Sequence, residues 1–137
     1  MALQSENGHS SNTILWVVCW WLLFEAWVLG AALNMAGVPG GFFTNYLADV
    51  AFPPWAYIYF RGLYRTDRRP PQLALVGQWF GKSRHLTAAG ILLVGILTEL
   101  KTLYWPNGPI TGTFDPYDIA AYTIGILVCW LADPQRK

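Results

Sequence analysis

ILLVGILTELKTLYWPNGPITGTFDPYDIAAYTIGILVCWLA, residues 91–132, decides the fold. Two apolar runs flank a stretch rich in Pro and Gly, and each run carries a carboxylate. Glu99 follows ILLVGILT, and Asp118 opens IAAYTIGILVCWL. An ionisable group at membrane depth is rare and by default marks a functional site. A bilayer core of about 30 Å needs roughly 20 mostly apolar residues per helix. The stretch therefore reads as the ends of two spans, 86–105 and 115–132, separated where Pro106, Asn107, Gly108 and Pro109 stop the first.

Outward from this pair, two more spans are predicted at 13–36 and 42–64, with GVPGG (Gly37 to Gly41) between them. The composition agrees: of 137 residues, 54% are hydrophobic and 12% charged, and eight are Trp. Soluble domains carry roughly a quarter charged residues. The expectation is an all-α polytopic membrane protein, a single domain of four transmembrane helices in a small bundle. MALQSENGHSSNT lacks the cation of a signal-peptide n-region, and Glu25 interrupts the apolar run behind it, so the first segment reads as a retained span. A net charge of +1 argues against a nucleic-acid partner. Cys19 and Cys129 lie in apolar runs and read as packing residues. No CxxC or His/Cys spacing suggests zinc or a disulfide framework.

Basic residues give the direction. Arg61, Arg65, Arg68, Arg69, Lys82 and Arg84 surround the connection 65–85, and Arg136 and Lys137 follow the last span. The other two connections hold none, apart from Lys101 at one membrane edge. Under the positive-inside rule both termini and the middle loop are cytoplasmic, with the chain in the cell's inner (plasma) membrane. Within that loop Leu73, Leu75, Val76, Trp79 and Phe80 follow RRPP and suit either a segment lying at the headgroups or a solvated basic loop.

This topology brings Asp49, Glu99 and Asp118 to one level in the outer leaflet. Asp115-Pro116 reads as an N-cap followed by Pro at the first helical position. Asp118 either supports that cap or joins Tyr122 and Gly125 in lining a contact with another helix. Lys101, two residues on, does not face Glu99, which therefore takes a partner from another span or stays protonated. Pro53 and Pro54 deny an N–H to the carbonyls of Asp49 and Val50: either a helix broken there exposes both carbonyls beside a carboxylate as a cation or headgroup site, or a kink there serves packing alone. Trp16, Trp105 and Trp130 suit the aromatic belt. Glu25 lies deeper and must be protonated, paired or in contact with a partner protein, while Trp20 and Trp27 suit plain lipid contact or a docking surface for another membrane subunit or a pigment. No cofactor is expected; haem or chlorophyll would have to use His85, the one His near the membrane.

The second half, about residues 42–132, resembles the VanZ-like family of small bacterial membrane proteins. The likeness rests on Glu99 in LTELKTLYWPNG, on Asp118 and Gly125 in FDPYDIAAYTIG, and on Asp49 in NYLADVAFPPWAYIYF. Thr102 stands where the family usually has Gln, and Ile110 to Thr113 where it usually has an Arg. The resemblance implies a four-span bundle and a role tied to envelope components. With no nucleophile–base arrangement in view, the expected function is non-catalytic. It is an outward acidic pocket, lined by Asp49, Glu99, Asp118 and Tyr122, for a polar or cationic envelope ligand or a lipid headgroup. The alternative is an accessory subunit of a respiratory or photosynthetic complex.

Overall fold

The computed structural model describes residues 4–39, 41–73, 75–104 and 115–133. They form five helices: α1 Gln4–Met35, α2 Phe42–Arg61, α3 Trp79–Lys82, α4 Arg84–Tyr104 and α5 Pro116–Ala132. Among the described residues no strand forms, in line with the all-α expectation. Trp105, Pro106 to Pro109, Ile110 to Thr113, Arg136 and Lys137 lie outside the described residues.

Helix ends follow local chemistry. α1 begins at Gln4 rather than Thr13, since its polar first turns contain no proline to stop it. It ends at Gly37, whose φ of 64° is open to glycine, with Gly37 N–H donating to Asn34 O and Val38 N–H to Leu33 O. α2 closes in the same way: Gly62 has φ 64°, its N–H donates to Tyr59 O, and Leu63 N–H donates to Ile58 O. Both are Schellman ends, so α2 stops at Arg61 and not at Tyr64.

Of the two readings of Pro53 and Pro54, the broken helix does not occur, because α2 runs through both. The two rings are buried, and Gly125 of α5 leaves room for one of them. A Cβ at Gly125 would lie 3.2 Å from Pro54 Cδ. Packing against a neighbouring helix thus offsets the ladder hydrogen bonds lost at the prolines.

α2 is the hub. It touches α1, α3, α4 and α5, α4 also touches α3 and α5, and among the described residues the backbone of α1 comes close to α2 and to no other helix. Gly30 makes the α1 contact close, since a Cβ there would lie 2.6 Å from Ala48 N. Small residues at such crossings let helix backbones approach. α5 runs parallel to α2, with Tyr122 beside Asp49 at one end and Asp133 beside Arg61 at the other. α4 runs antiparallel to α5, pairing Glu99 with Tyr122 and Arg84 with Trp130.

The core is Trp16, Tyr57, Ile58, Leu63, Ile126 and Cys129. Trp16, expected in an interfacial belt, is only 8% exposed because it packs into this cluster. Among the described residues one helix is long and apolar enough to cross a membrane, Asn12–Met35 within α1, near the N-terminus. α5 is apolar but has 17 residues, while α2 and α4 carry charges at and near their ends. Four long helices stand where four spans were predicted, and one of them meets the requirement on its own.

Candidate functional site

α5 builds the site from its first residue. Asp115 is the N-cap: Oδ1 accepts the Tyr117 N–H at 2.9 Å, with Pro116 next in the first turn. A carboxylate here satisfies a free N–H and opposes the helix dipole. Its Oδ2 accepts the Tyr46 hydroxyl of α2 at 2.6 Å, so the cap also ties two helices together.

Beyond the cap, Asp118, Tyr122, Ile126 and Cys129 are the buried residues of α5, at the three- and four-residue spacing of one helical face. Tyr122 carries the site's geometry. Its ring lies against Gly95 of α4, where a Cβ would come within 2.9 Å of Cδ2. That contact aims the hydroxyl between two carboxyls, 3.3 Å from Asp49 Oδ1 on α2 and 3.4 Å from Glu99 Oε1 on α4. Both distances are long for an O–H···O bond, so the hydroxyl is shared rather than committed to either group. A phenol has one proton to donate; when it donates to one carboxyl, a full bond to the other needs a proton on that carboxyl. Glu99 Oε2 accepts the Asp115 N–H at 3.4 Å. Partners for Glu99 thus come from another helix, one of the two outcomes that its spacing from Lys101 left open.

Asp118 sits one turn before Tyr122, within electrostatic reach of Asp49 and Glu99. It is only 9% exposed, and among the described residues its Oδ1 is buried without a hydrogen-bond partner. An unpaired buried carboxylate oxygen is costly, and a native structure holds one only for a reason. Among the described residues no group of three or more His, Cys, Asp or Glu is arranged to hold a metal ion. The carboxylates are therefore spread around a phenol and do not form a preformed metal cage.

Asp49, Glu99, Asp118, Tyr122 and Asp115 thus come together, and the remaining candidates lie elsewhere. Trp20 and Trp27 are half-buried against α2, their rings 6.0 and 5.6 Å from that of Trp55. Glu25 is exposed, and the indole exposed near it on α1 is that of Trp21. His85, also exposed, meets Trp130 edge-on at 5.5 Å, while the Arg84 guanidinium lies 4.6 Å from the centroid of that indole.

A second polar cluster, at the opposite end, was not expected. Arg61 Nε donates to Asp133 Oδ2 at 2.6 Å, and the Tyr57 hydroxyl donates to the same oxygen at 2.9 Å. Arg61 Nη1 also donates to the carbonyls of Gly81 and Lys82, at 2.5 and 2.9 Å. Both charged side chains are almost fully buried. The available signal was spacing: Asp133 falls four residues after Cys129, and Arg61 four after Tyr57. Comparison with family models, with characterised proteins and with solved structures gave no match to this chain.

Proposed function

We propose that the chain is a non-catalytic, multi-pass inner-membrane protein whose outer end binds a cationic envelope ligand or an amine-bearing lipid headgroup. The observation that carries this reading is the buried, unpartnered Oδ1 of Asp118 beside two carboxyls that share one phenol. An ammonium or guanidinium group would give that oxygen a donor and offset the clustered negative charge. Membrane embedding is supported by exposed apolar side chains, among them Leu22 and Leu29 on α1, Leu93 and Val94 on α4, and Val128 and Leu131 on α5. On α4 and α5, lipid would cover those faces while the polar faces meet inside the bundle. The VanZ-like pattern at Asp49, Glu99 and Asp118 points the same way, and the reading stands without it.

Calorimetric titration of the full chain in mild detergent with spermidine and with a short-chain phosphatidylethanolamine tests it. Saturable binding of either probe is expected, lost in Asp118→Asn and weakened about tenfold in Tyr122→Phe. Asp67→Asn, far from the site, should bind normally. Absence of saturable binding, or equal binding by the Asp118→Asn variant, would overturn the proposal.

A second reading, an accessory subunit, is favoured by Glu25. An exposed carboxylate within an apolar span is expensive against lipid, and among the described residues the backbone of α1 comes close to α2 and to no other helix. A partner helix covering Glu25 and Trp21 would relieve that cost. The same preparation separates the readings, since a stoichiometric second protein carried through purification supports the subunit.

A further inference from the structure

The connection between α2 and α4 is held rigidly, yet it presents its largest apolar side chains outward. Arg61 caps the carbonyls of Gly81 and Lys82. Gly81 sits so close to the Phe60 carbonyl and to Pro70 that no side chain fits. Phe80 lies over Gly90 and meets Phe60 edge-on at 5.2 Å. The Thr87 hydroxyl is within bonding distance of Phe80 O at 2.8 Å and Ser83 O at 2.9 Å. Between these anchors Gly77, at φ 63°, closes a tight turn by donating its N–H to Leu73 O at 2.7 Å.

At the tip of that turn Leu75 is 99% exposed, and Trp79 just after it is 60% exposed. Their exposure belongs to a pinned segment and not to a wandering loop. Cations surround the tip. Residues 62–85 hold Arg65, Arg68, Arg69, Lys82 and Arg84 against Asp67 alone, a net charge of +4. Arg65, Arg69 and Lys82 are exposed. Asp67 offsets part of this charge: it accepts the Arg69 N–H and pairs with Arg65, and those contacts hold its carboxyl below the usual carboxylate range.

We infer that this connection is an anionic-lipid docking element, with Leu75 and Trp79 seated among the acyl chains of the cytoplasmic leaflet and Arg65, Arg69 and Lys82 on its phosphates. An apolar tip alone would fit many surfaces, and a basic loop alone would only orient the chain. The two together match a negatively charged bilayer surface, where indole rings settle at headgroup depth and cations gain from the surface potential. The inference rests on the membrane-spanning reading, but not on the acidic site at the other end.

The test is lipid retention by the full chain, purified in mild detergent with equimolar phosphatidylglycerol and phosphatidylcholine and read by native mass spectrometry. The wild-type chain should retain phosphatidylglycerol in preference. Arg69→Ala with Lys82→Ala should lower that preference at least about fivefold, whereas charge-preserving Arg69→Lys should keep it. Leu75→Ala with Trp79→Ala should lower retention of both lipids. Equal retention of the two lipids by the wild-type chain, or a preference that survives both paired variants, would overturn the inference. Release of the chain from membranes by a carbonate wash would instead overturn the spanning reading beneath it.

Discussion

Arg61 and Asp133 show how one residue pair organises an end of the molecule. Each is at most 2% exposed, and the pair joins the last turn of α2 to the residue that closes α5. Desolvating both ions offsets much of their attraction, so the intact pair contributes little net stability. Removing one partner is different, because it strands the other charge. Arg61→Ala is therefore expected to destabilise the fold by about 3–5 kcal/mol, read as the shift in denaturant unfolding of the detergent-solubilised chain. Arg61→Met combined with Asp133→Leu should recover most of that loss, since apolar replacement of a buried pair is often close to neutral. If the double variant is as unstable as the sum of the single ones, the pair contributes net attraction after all.

At the scale of elements, the sequence disclosed what is periodic and local, and concealed what depends on distant partners. The start of α5 was legible because capping acts within a few residues: Asp115 and Pro116 are both explained by the first turn. The convergence of Asp49, Glu99 and Tyr122 was legible from span direction alone, since antiparallel neighbours bring set levels together. Pro53 and Pro54 left two readings open because the rule that breaks helices is local, whereas the space that accommodates Pro54 belongs to Gly125 on another helix. Arg61 misled because a cation at a span end looks like a loop charge, and its carboxylate lies 72 residues away. α3 was hidden for the same reason, being a single turn positioned by contacts from α2 and α4. Its dependence on Gly81 can be tested directly. Gly81→Ala would force a methyl against the Phe60 carbonyl and Pro70, costing about 1–3 kcal/mol by overpacking. Trypsin should then cut after Arg65 and Lys82 faster than in the wild-type chain, and unchanged cleavage would show that α3 is not pinned through this contact.

The whole molecule has two polar layers joined through an apolar middle. Asp49 and Arg61 stand twelve residues apart on α2, about 18 Å at roughly 1.5 Å per residue, with Ile58, Ile126, Cys129 and Trp16 in the core between. That separation is shorter than a hydrocarbon core of about 30 Å, so both layers fit within the depth of one bilayer. Each is enclosed by helices: the first by α2, α4 and α5, the second by α2 and α5 with α3 beneath. Burying Arg61 in an ion pair takes it out of the loop charges, yet Arg65, Arg69 and Lys82 remain exposed in the same connection. The charge asymmetry that orients the chain therefore survives. The proposed multi-pass reading requires that α2 cross the membrane, although its own length and composition do not demand it. Thiol labelling in intact cells checks this, using Val38→Cys and Thr66→Cys, exposed positions beyond opposite ends of α2. A membrane-impermeant maleimide should modify Val38→Cys from outside and Thr66→Cys only after lysis, with Cys129 unreactive because it is buried. Labelling of both positions from the same side would mean that α2 does not cross, and the acidic and basic ends of the bundle would then face one compartment.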